Sequence, residues 1–251
     1  MRSGCLRLAA AGLFVLLLVG AYWFYRGFRP GMAGGGLAGG LARSGRVVAF
    51  LRSPNEHADW SWQAGSRCAS APNGAPAPFI LPTSGFAGYL WDDSFRLGHR
   101  HQGVDIFGGG EVGVTPVLAA YAGYLTRLAD WRSTVIIRIP DDPLQPGRQI
   151  WTYYTHMADA QGSSTIDARF PPGTIEQYVE AGTLLGYQGN YSGDPGSPVG
   201  VHLHFSIVLD DGAGRFRNEL EIANTLDPSP YLGLPLNAGT NQDQIPVCPA
   251  E

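Results

Sequence analysis

Val201-His202-Leu203-His204-Phe205-Ser206-Ile207-Val208 is the stretch on which the fold turns. Its odd positions are apolar, and its even positions begin with His, His and Ser. Successive side chains on a strand point to opposite faces, so the stretch predicts a β-strand that sends Val201, Leu203, Phe205 and Ile207 into a core. His202 and His204 then share the other face, where two imidazoles can reach one point in space. The plain alternative is a half-buried strand with two polar residues facing water.

Three further residues make that face informative. His101-Gln102-Gly103-Val104-Asp105 offers an imidazole and a carboxylate on a short segment, and His156 follows Tyr153-Tyr154-Thr155. Nitrogen and oxygen ligands with an open coordination position mark a catalytic zinc site, whereas structural sites are closed by four protein ligands, often cysteines. The three cysteines, at positions 5, 68 and 248, are too scattered for a cysteine cluster. Hydrolytic metal chemistry is therefore the leading reading. No His-Glu-x-x-His motif supplies a glutamate base by helix spacing, and histidine is a suitable substitute because its pKa lies near working pH.

The chain has no lysine; its 17 basic residues are all arginine. Seven of them precede residue 53, a region without acids, so the remainder carries ten arginines against 21 acids, a formal charge of −11. Phosphate binding needs clustered positive charge, so an acidic body argues against nucleic acid as a partner. The 35 Gly and 19 Pro, with little helical periodicity, indicate loop-rich β structure.

Four segments are expected along the chain. Residues 1–25 read as a membrane anchor or signal peptide: Arg2 and Arg7 precede the apolar run from Leu8 to Tyr25. Val19-Gly20-Ala21 is an acceptable cleavage site for the rival, secreted form. Either way the body is exported. Residues 26–78 read as a Gly/Pro-rich flexible linker, within which Arg46–Leu51 is a short strand or a helical turn. Residues 79–234 form the folded body and 235–251 a tail. Within the body, 115–120, 122–125, 134–139 and 150–154 are the clearest strands, 140–147 is a hairpin loop, and 179–186 is a turn leading into another strand. The expected class is mainly β: an antiparallel sheet or sandwich, preceded by a hydrophobic helix and a linker, to which the family resemblance that follows adds a groove over the zinc site. Cys68 and Cys248 flank the body and, in an exported chain, are expected to pair; Cys5 is not.

The chain resembles the lysostaphin-like (M23, LytM-type) zinc metallopeptidases that cut peptidoglycan cross-bridges. The resemblance covers about residues 79–232. It rests on His101–Ile106, on Thr115–Ala120 followed by Gly123, on Tyr154–Met157, on Ala181–Gly186, on His202–Phe205, and on Asp227-Pro228 before Tyr231-Leu232. It implies that His101, Asp105 and His204 bind Zn2+, and that His156 and His202 face the open position without ligating. One of that pair would take a proton from water and the other would serve the oxyanion, in either assignment. The implied partners are a peptidoglycan peptide as substrate and, through the N-terminal segment, the membrane. Longer stretches at Gly108–Gly113, Asp141–Gly147 and Ala160–Pro172 depart from the family pattern and bear on substrate preference. His99 reads as a loop residue, and His57 carries no assignment. A non-catalytic, LytM-type wall-binding or amidase-regulating domain is the alternative. A lipoyl- or biotinyl-carrier domain is excluded, because it needs an attachment lysine.

Overall fold

The computed structural model describes residues 37–70, 75–94, 98–241 and 243–248. The apolar run 8–25 and Cys5 lie outside them; among the described residues no helix is long and apolar enough to cross a membrane. Helix α1 (Leu37–Arg52) and a 3-10 segment (Pro54–Trp60) lead into a two-strand ribbon, β1 (Ala69–Ser70) and β2 (Ala75–Pro76). There follow β3 (Phe86–Tyr89), β4 (Val104–Phe107), β5 (Pro116–Leu118), β6 (Gly123–Thr126), β7 (Val135–Ile139) and β8 (Ile150–Thr155). The chain continues with β9 (Gln177–Val179), β10 (Leu184–Tyr187), β11 (Leu203–Leu209) and β12 (Thr225–Leu226), and the short helix α2 (Ser229–Leu232) comes last.

The main sheet is eight-stranded and antiparallel, in the order β3-β4-β11-β8-β7-β6-β9, with β12 beside β11. Strand β11 is its axis. One edge pairs with β8 along its length, while the other is shared, Leu203–Phe205 with β4 and Ile207–Val208 with β12. β-Branched and aromatic residues dominate β7 and β8, as suits a pleated surface packed on both sides. Leu203, Phe205 and Ile207 enter the main core with Val104, Ile106, Ile137 and Tyr154, each contributing about 1.5–3 kcal/mol of burial. The β5–β10 ribbon adds Val117 and Leu185 to the same core. The fold is mainly β, as expected.

One expectation at β11 is corrected, and the alternative reading of its second face is set aside. The strand begins at Leu203; Val201 is only half-buried, and His202 stands just before it in a single bridge to Gly189. The second face is not wet either. Ile136, Trp151 and Val208 form a separate apolar cluster there, covered by Trp131 and Phe216, and Ser206 is fully buried.

The flanks also differ from a linker and a tail. Trp62, Cys68 and Ala77 are buried, and residues 37–52 are helical. Gly39, Gly40 and Gly45 weaken that helix as an isolated segment, so packing carries it. Val47 and Phe50 sit against Phe86 and Phe107, and the Arg43 guanidinium meets Asp93 at 3.0 Å in a buried ion pair. Gly88 makes room, since a Cβ there would stand 2.4 Å from Val47 Cγ2. Beyond 234, Leu236, Ala238 and Asn241 are buried. Cys68 and Cys248 form a disulfide that links chain positions 180 residues apart.

Candidate metal centre

Each ligand candidate is delivered by the main sheet. Asp105 on β4 lies directly opposite His204 on β11, which in turn faces Thr155 on β8. His101 reaches the same point from the segment before β4, because Gly103 lets that segment press against β11. A Cβ on Gly103 would stand 2.3 Å from the Phe205 carbonyl oxygen and 2.9 Å from His204 Nε2. This is the reason for glycine between the histidine and the aspartate.

Three atoms converge. His101 Nε2 is 3.1 Å from Asp105 Oδ1 and 3.1 Å from His204 Nδ1, and His204 Nδ1 is 2.8 Å from Asp105 Oδ1. The opposite nitrogens are occupied from behind: His101 Nδ1–H donates to the Leu90 carbonyl at 2.9 Å, and His204 Nε2–H to Glu219 Oε1 at 2.8 Å. Two imidazole lone pairs and a carboxylate oxygen therefore point at one another, an arrangement that repels unless a cation sits among them. Ligands held about 2.0–2.1 Å from zinc in tetrahedral geometry lie roughly 3.3 Å apart, close to this spacing. Among the described residues His101, Asp105 and His204 form the one group of this kind.

Charge follows the same logic. Burial alone would raise the Asp105 carboxyl, but the facing imidazoles of His101 and His202 hold it well below the usual carboxylate range. Burial opposes a proton on His204, yet Glu219 and Asp105 outweigh it and push the ring up to about 10.

His156 and His202 are different. His156 Nδ1–H donates to the Tyr191 carbonyl and His202 Nδ1–H to the Gly200 carbonyl, both at 2.6 Å. Each keeps a bare Nε2, and that of His202 is 3.6 Å from Asp105 Oδ1. The two ring centroids are 4.4 Å apart. Burial, with His202 beside it, pushes His156 down to about 3, and burial lowers His202 as well. Both are therefore neutral proton acceptors. His156 is reached at φ +70°, a region uncommon for residues with a Cβ. Phe107 stacks on His202 with centroids 4.9 Å apart.

These groups lie in a cleft of about 720 Å³ walled by Tyr89, Phe107, Tyr153, Tyr191, Val199 and Leu220. Ser44 of α1 also reaches it, its hydroxyl 2.8 Å from that of Tyr89. The structure thus brings together all five residues singled out in the sequence. His99 stacks near His101, at 6.4 Å between centroids, without joining the ligand group. His57 stacks on Trp60. Sequence reasoning missed Glu219 and the contribution of α1.

No protein-family model matches the chain, and no curated protein matches it. Solved structures do. A LytM protein from Ruminococcus gnavus is similar at 26% identity and TM-score 0.35, over 52% of this chain and 45% of that one. The catalytic domain of the prophage-encoded M23 protein EnpA from Enterococcus faecalis is similar at 21% and 0.35, over 60% and 95%. Lysostaphin is similar at 21% and 0.36, over 67% and 54%. The chain resembles the M23, LytM-type peptidases. The match spans under half of the Ruminococcus chain and about half of lysostaphin, and the resemblance rests on the motifs and on the donor set of the site.

Proposed function

We propose that the chain is a zinc metalloendopeptidase that hydrolyses peptide cross-links of peptidoglycan. One observation carries this reading: three acceptor atoms of His101, Asp105 and His204 converge beside two neutral imidazoles with bare Nε2 atoms. His101, Asp105 and His204 would hold the ion, which supplies Lewis acidity toward a carbonyl and acidifies water. His156 and His202 stand on the open side. Each accepts a proton at Nε2, because Nδ1–H is committed to a backbone carbonyl. The imidazole that takes the proton from the attacking water becomes an N–H donor, able to serve the oxyanion or the leaving amine.

We place the body outside the cytoplasm, tethered by residues 1–25 or released after their cleavage. The test is digestion of purified peptidoglycan of several chemotypes by zinc-loaded and chelator-treated protein, with new amino termini identified. New termini within cross-links, formed only by the zinc-loaded protein, are expected. Binding to the wall without any new terminus overturns the enzymatic reading in favour of a wall-binding or regulatory domain.

A further inference from the structure

The proposed chemistry leaves one buried carboxylate at the site unused. Glu219 follows β11 on a loop, and its Oε1 accepts the Nε2–H of His204 at 2.8 Å. Both side chains are about nine-tenths buried. The Nδ1 atom of the same ring faces Asp105 and His101, so Glu219 stands behind the imidazole and is not itself a ligand.

The loop is built to hold it there. Asn218 Oδ1 accepts the Leu220 N–H at 3.2 Å, and the Asn218 carbonyl accepts from Asn224 Nδ2 at 2.9 Å. From the far side, Gln102 Nε2 donates to the Leu220 carbonyl at 2.8 Å. Gln102 lies between His101 and Gly103. The segment that presents two of the candidate ligands therefore also pins the turn that backs the third.

We propose that Glu219 is a positioning residue for the metal, acting through His204, with Gln102 as the residue that holds its turn. This rests on the metal reading given above. An imidazole has two tautomers and rotates about its side-chain bonds. A carboxylate at Nε2 selects the tautomer with the proton on that atom, aims the Nδ1 lone pair into the site, and strengthens it as a donor. A neutral acceptor at Nε2 does the first two things and not the third.

The full chain is compared with Glu219→Ala, Glu219→Gln and Gln102→Ala. Zinc affinity is read by competition with a chelator, ligand geometry by the visible spectrum after Co2+ loading, and integrity by the unfolding midpoint of the metal-free protein. Loss of the carboxylate in Glu219→Ala weakens zinc binding by about 10–100-fold and changes the Co2+ spectrum. Glu219→Gln, which keeps an acceptor at the same place, restores the spectrum and recovers part of the affinity. Gln102→Ala moves affinity in the same direction by less. Zinc binding by Glu219→Ala within about twofold of wild type overturns the proposal, as does an unchanged Co2+ spectrum. A wild-type chain that takes up no zinc overturns the metal reading, and this inference with it, before any variant is considered.

Discussion

Four imidazoles share one cleft and differ in what stands behind them. His204 is backed by the Glu219 carboxylate and faces Asp105, and it is pushed up to about 10. His156 is backed by a backbone carbonyl and is pushed down to about 3. The same side chain therefore has its proton affinity raised in one place and lowered a few ångströms away. Burial disfavours the charged ring in both cases; the neighbouring carboxylates decide the sign. His101, backed by the Leu90 carbonyl, belongs with the ligands by the direction of its Nε2. Second partners thus assign role as much as position in the cleft does.

The largest effect expected from breaking this contrast is at Asp105. Asp105→Ala removes the anion that both ligand imidazoles face, and should empty the site and abolish cleavage. Metal analysis of the purified variant checks it, and full zinc occupancy would sink the ligand assignment. His156→Ala and His202→Ala test the other half. Neither belongs to the convergent trio, so zinc content should stay normal while turnover on a cross-bridge peptide falls at least about a hundredfold. Turnover and zinc measured on the same preparations separate the roles: near-normal turnover removes a histidine from catalysis, and lost zinc moves it among the ligands.

Acidity sharpens the contrast further. A base whose pKa is depressed stays unprotonated as pH falls through the usual histidine range, and is lost only below it. With His156 near 3 and His202 also lowered, the acid limb of turnover should lie below the ordinary histidine value of about 6.5. A pH–rate profile on zinc-saturated protein checks this, and a limb centred at or above that value would be inconsistent with a buried neutral base. The smallest effect on chemistry is expected far from the imidazoles. Arg127 is largely buried and donates to the Trp131, Phe170 and Arg132 carbonyls and to Ser164 Oγ, with no carboxylate among its bonds. Arg127→Ala strands these acceptors and should cost roughly 2–3 kcal/mol of stability. Zinc content should be unchanged, with the cost read by denaturant unfolding. A stability equal to wild type would show that water replaces the guanidinium.

The sheet was legible because it obeys short-range rules, and the five site residues because they stand in motifs that resemble those of a known family. The alternation in β11 set which face His204 occupies; the close backbone approach at Gly103 shows only in its packing against Phe205. Glu219 was not legible. It stands 15 positions after His204, beyond the end of β11, and a lone glutamate in a polar turn looks like any solvated acid. Helix α1 was hidden for a different reason: its glycines read as linker, and its stability comes from Phe86, Phe107 and Asp93, which lie much later in the chain. The paired cysteines were foreseen from where they stand, one on each side of the body. Burial of the second face of β11 was not, because Trp131 and Phe216 arrive from loops.

The disulfide divides the folded part into segments with different mechanical standing. Everything between Cys68 and Cys248 lies within a covalent loop, whereas α1 and the 3-10 segment precede it. Tension applied between the N-terminal side and the chain beyond Cys248 would therefore extend α1 and the 3-10 segment and pass through the disulfide, leaving the sheet unstretched. What α1 would release in yielding is close to the chemistry. The Asp93 backbone carbonyl accepts the His101 backbone N–H at 2.8 Å while its carboxylate pairs with Arg43, and Phe107 packs on both Phe50 and His202. A pull on α1 would thus slacken the supports of His101 and His202 while the disulfide keeps the main sheet out of the path of the load.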